Sequence, residues 1–118
     1  MTPHRRSSVP RAPRSLSAEA RAIWRRLAPE LARAGRLGPL DIDALAHYCD
    51  LSVQVGEARK MVEMGLLSRG RRDDLITNPA WRIYRDGLVL LRLYGADLGL
   101  SPASRINLPS LPPAPATA

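Results

Sequence analysis

The chain has 118 residues, a formal charge of +7 and an isoelectric point near 11.0, enough for one domain with a single core and a bias towards a polyanionic partner. Its lone cysteine, Cys49, excludes a disulfide framework and a cysteine zinc site, and no stretch approaches the roughly 20 apolar residues of a spanning helix, so a cytoplasmic protein without a membrane partner is expected. Aromatic residues are only Trp24, Trp81, Tyr48, Tyr84 and Tyr94, which leaves the packing to Leu, Ala, Val and Ile and favours helices over a strand sandwich.

Residues 1–15 contain Arg5, Arg6, Arg11 and Arg14, three Pro and no acid. Too little is apolar to pack and Pro opposes a helix, so the expectation is a flexible basic arm suited to a phosphate backbone. Ser17 then supplies an N-cap and Glu19 a favourable first-turn charge for a first helix. In it Ala20, Ile23, Trp24, Leu27, Leu31 and Ala34 form one stripe, with Arg21, Arg25 and Arg26 outside it. Pro29 predicts a kink near Ala28, Gly35 a stop, and Trp24 reads as a core anchor.

The segment Asp41–Met64 reads as one long central helix, capped by Asp41 and closed by Gly65. It carries two apolar stripes. Ile42, Leu45, Cys49 and Val53 continue into Gly56 and Lys60, while Tyr48, Leu51, Val55, Ala58 and Val62 make the second. One reading lets helices of the same chain fill both. The reading preferred here gives the second stripe to another copy, making those five residues an oligomer interface.

Beyond Gly65, Leu66–Ser68 and Leu75–Thr77 suggest two short strands around a polar turn holding Arg69, Arg71 and Arg72, a second candidate phosphate contact tempered by Asp73 and Asp74. Asn78 and Pro79 restart a helix as cap and first residue, with Ala80, Ile83, Tyr84, Gly87, Leu88, Leu91, Tyr94 and Leu98 as its stripe and Gly99 as its end. Ser101 and Pro102 open a short turn, and the remainder is a Pro-rich tail. The expected organisation is thus an all-α helical bundle around one long central helix over residues 16–106, between a basic arm (1–15) and a tail (107–118).

Chemistry is sparse. His4 and His47 have no metal-ligand spacing, there is no glycine-rich phosphate loop, and no serine sits in a hydrolase signature, so no catalytic residue, metal or cofactor is assigned.

Taken together, Leu16–Cys49, the Met64–Ser68 step after the central helix, the Asn78–Pro79 restart and the closing Leu98–Leu108 resemble the small subunit of phage terminase, the machinery that packages double-stranded DNA. Arg71–Asp74 depart from the Gly-centred turn usual in that family. The resemblance implies a helical, non-catalytic protein that assembles as a ring, recognises viral DNA and delivers it to a large subunit carrying ATPase and nuclease. Two other classes stay open, a helix-turn-helix regulator, for which the second helix is long and apolar, and a helical protein-binding adaptor, which leaves the Arg arm without a role.

Overall fold

Ser17 opens the first helix as its residue type predicts. In the computed structural model, which describes residues 9–100, its hydroxyl accepts a hydrogen bond from the Ala20 N–H at 3.1 Å, and α1 runs Ala18–Arg33. Pro29 sits inside α1 without ending it. Gly35 does end it. At φ 72° it takes the left-handed conformation, so that its own N–H reaches Ala32 O and the Arg36 N–H reaches Leu31 O.

A single 3₁₀ turn at Pro39–Asp41 leads into α2, Ile42–Val62. Asp41 does not cap α2 as expected. Its carboxylate accepts from the Gly38 N–H at 2.8 Å, because Pro39 starts a tight turn whose leading amide lies nearer than the amides of α2. Strands β1 (Leu67–Arg69) and β2 (Leu75–Thr77) pair antiparallel, Ser68 opposite Ile76, around a turn closed by the Gly70 N–H on Asp74 O. Asp73 stands at φ 60° in that turn, a conformation aspartate tolerates. The protein is therefore mostly helical, with three helices and one small sheet among the described residues, and the all-α expectation gives way at this hairpin.

Asn78 ties the hairpin base to both neighbouring helices. Its side-chain N–H groups donate to Met61 O and Gly65 O, and its oxygen accepts from the Ala80 N–H, each at 3.0 Å. The last helix, α3, follows as Ala80–Leu98, and Gly99 at φ 75° closes it, with the Leu100 N–H bonded to Gly95 O.

Both stripes of α2 are used within the chain. Leu45 and Cys49 join Leu16, Ala20, Trp24, Ala28 and Leu31 in the core under α1, with Leu98 of α3 alongside. The second stripe carries α3. A Cβ added at Gly87 would collide with Val55 Cγ2, and one at Gly95 would rest 3.6 Å from the Tyr48 ring, so small residues let α3 lie close along α2. That close approach centres the seam on Ala80, Gly87, Gly95 and Leu98, all buried. Ile83 and Leu88, expected on the packed stripe, are pushed to its margins and are 58% and 44% exposed.

The core also takes in residues N-terminal to α1. Val9 and Ala12 pack against the core, Leu16 is buried, and the Trp24 indole N–H donates to Pro10 O at 3.0 Å. Residues 9–16 thus form a strap that packs on α1, ahead of the expected domain start at residue 16. Residues 1–8, the turn at Ser101 and the tail 107–118 lie outside the described residues.

Candidate nucleic-acid interface

The expected DNA-binding arginines fall into separate groups. Arg5 and Arg6 lie outside the described residues. Arg11 and Arg14 are exposed on the strap, and Arg14 O accepts from the Arg21 guanidinium at 2.9 Å. Arg25 follows Arg21 by one turn on the same edge of α1 and is exposed. Arg14, Arg21 and Arg25 therefore lie along one edge of α1, and Arg11 is exposed on the strap that leads to it. Arg26 departs from that edge, lying about 100° further round the helix.

Arg69, Arg71 and Arg72 form the other group, at the hairpin. Arg69 is committed locally, its guanidinium bonding Asp73 O at 3.0 Å and the Asp73 carboxylate at 3.1 Å. Arg71 and Arg72 are exposed. The hairpin follows the far end of α2 from Cys49, about 20 Å along the helix axis at 1.5 Å per residue, so the two groups do not form one patch.

Local charge separates the candidates. Residues 9–25, the strap and the N-terminal half of α1, hold Arg11, Arg14, Arg21 and Arg25 against the acid Glu19, whereas residues 65–77 hold three Arg against Asp73 and Asp74. A phosphate backbone is drawn more strongly to the first.

The residues expected to face a second copy lie along the seam between α2 and α3. Val55 and Ala58 are buried within the chain, 7% and 5% exposed, while Tyr48, Leu51 and Val62 are half-buried along the same seam. Within the chain α3 supplies apolar cover along this stripe, and further apolar side chains lie on the far side of α3. There Ile83, Val89, Leu90 and Leu93 remain about half exposed.

Little else invites chemistry. The Cys49 thiol is pushed up to about 11 by burial first and then by Asp50, against a lowering by Arg26, so it is a poor nucleophile at neutral pH. His47 stacks at a tilt on Tyr94, ring centroids 5.9 Å apart. Among the described residues no three His, Cys, Asp or Glu side chains gather where they would hold a metal ion, and no helix is long and apolar enough to cross a membrane.

This helical chain, with arginines exposed on the strap, α1 and the hairpin, also matches a known family in sequence. The pattern of "Phage terminase, small subunit" covers residues 20–113, most of the chain. The chain belongs to that family. A role in phage DNA packaging follows from that membership, as does kinship with generally non-catalytic regulatory subunits. The small-subunit match begins at Ala20, inside α1, and so leaves out the strap with Arg11 and Arg14. No curated protein and no solved structure matches the chain.

Sequence reasoning missed the strap and the apolar outer face of α3. A signal for the strap was present, because Val9, Ala12 and Leu16 recur at three- and four-residue spacing and a buried Trp24 needs an acceptor for its N–H.

Proposed function

We propose that this chain is the DNA-binding, non-catalytic subunit of a phage-type packaging terminase, which assembles as a ring, engages double-stranded DNA and delivers it to the large ATPase and nuclease subunit. The observation that carries the reading is the family match over residues 20–113. Two features support it.

The strap and the N-terminal half of α1 present Arg11, Arg14, Arg21 and Arg25 beside a single acid, Glu19, a surface that positions a protein on phosphates without reading bases. The exposed apolar side of α3 exceeds the singly scattered apolar residues of an ordinary surface and needs cover. A helix-turn-helix reading is disfavoured because α2, the helix that would have to enter a groove, is enclosed by α1 and α3 along two faces. Arg5 and Arg6, which lie outside the described residues, add charge of the same sign to the chain in this reading.

Fluorescence anisotropy with a labelled duplex, combined with light scattering, tests the proposal. Binding that weakens steeply with salt, by a particle several times the 13.0 kDa chain, is expected. A chain indifferent to duplex DNA at low salt would refute it.

A further inference from the structure

The free surfaces of α2 and α3 carry opposite charges at the same spacing. On α2, between the side that meets α1 and the side that meets α3, Asp43, Asp50 and Glu57 recur every seven residues, close to two turns or about 10.5 Å. On α3, Arg85 and Arg92 are likewise seven apart, with exposed Val89 between them and exposed Leu93 one turn further along from Val89. Among the described residues Asp50 and Arg92 have no ion pair. Glu57 and Arg85 touch only exposed local partners, Lys60 at 3.2 Å and Asp86 at 3.7 Å.

The register of the two helices adds a second observation. Val55 lies level with Gly87, Tyr48 with Gly95 and His47 with Tyr94, so α2 and α3 run antiparallel. Counting along from these pairs, Asp50 is level with Arg92 and Glu57 with Arg85. Rotation about an axis parallel to the helices preserves height. In a cyclic assembly of that orientation, groups level within one chain stay level between adjacent chains.

We propose that copies of this chain join by packing α3 of one against the acidic side of α2 of the next, Arg92 meeting Asp50 and Arg85 meeting Glu57 of the neighbouring copy. The inference rests on the ring reading above and names the two faces that make it. The interface is heterologous, as a closed ring requires, and it covers Leu93 and Val89 beside the charge pairs. Packing α3 against α3 in the same direction would instead set the arginines of both copies side by side, a like-charge arrangement.

Light scattering on the full chain with Arg92→Glu, Asp50→Lys and a 1:1 mixture of the two tests the proposal. Each single reversal raises the concentration at the assembly midpoint about tenfold or more, the effect of losing one close interfacial charge pair. The mixture recovers the wild-type midpoint, because the carboxylate introduced by Arg92→Glu then meets the ammonium introduced by Asp50→Lys, while the native pair forms at alternate contacts. A variant that had merely misfolded would not be rescued by mixing. Single variants that assemble like wild type, or a mixture that stays dispersed, overturn this interface while leaving the ring reading in place. A wild-type chain that is monomeric throughout overturns the ring reading itself.

Discussion

Replacing Arg11, Arg14 and Arg25 together with Ala removes three cations from the strap and α1 surface without touching the core. All three side chains are exposed, and the carbonyl of Arg14 that receives Arg21 is retained by any residue. If each contacts one phosphate, the slope of log affinity against log salt falls by about 2.7 in magnitude, at 0.9 per contact. Between 50 and 200 mM salt, wild type then loses about 40-fold more affinity than the variant. Anisotropy titrations of one duplex at four salt concentrations measure this, and an unrelated duplex of equal length should respond alike, since phosphate contacts position without specifying. Arg71→Ala with Arg72→Ala supplies the contrast at the hairpin. An unchanged slope in the triple variant, with loss of binding in the hairpin variant, would refute the assignment. Deleting the whole arm is a poorer probe, because it also strips Pro10 from Trp24 and Val9 and Ala12 from the core.

A shorter deletion has its own outcome: removing residues 1–12 leaves the buried indole N–H of Trp24 without its acceptor, costing about 1–3 kcal/mol before the lost packing is added, read as a lower urea midpoint. In the α2–α3 seam, Gly87→Ala drives a methyl into Val55 and should destabilise by about 1–3 kcal/mol, whereas Gly95→Ala meets its neighbours at ordinary contact distance and should be neutral or stabilising by up to about 1 kcal/mol; chemical denaturation of the pair checks the contrast. Cys49 should resist thiol reagents until the chain unfolds. Its pKa of about 11 against an ordinary value of 9.0 means that the unfolded chain releases the thiol proton first, so the Cys49 contribution to stability is present below pH 9 and is lost between about 9 and 11, visible as a pH-dependent difference from Cys49→Ala in denaturation.

Much of the helical framework was legible because its signals are local. Ser17, Gly35, Asn78 and Gly99 act on amides and carbonyls within a few residues, so residue type and position suffice. Asp41 was misread because two sets of amides lie within its reach, and Pro39 decided between them by starting a 3₁₀ turn. The paired stripes of α2 were legible as stripes, but periodicity records that a face is covered and not which helix, or which copy, covers it. Side-chain size misled at α3. Ile83 and Leu88 looked like seam residues, yet the closest approach is made at Gly87, where the absence of a side chain allows it. The basic character of the site was visible from composition, while its division into a strap surface and a hairpin surface depends on the length of α2 between them.

Light scattering of the purified chain, alone and with a duplex long enough to engage every subunit, tests the central claim most directly. The account predicts a discrete particle of several 13.0 kDa chains that binds the duplex at low salt and releases it as salt rises. A 13.0 kDa monomer at micromolar concentration, unchanged by DNA, would contradict it.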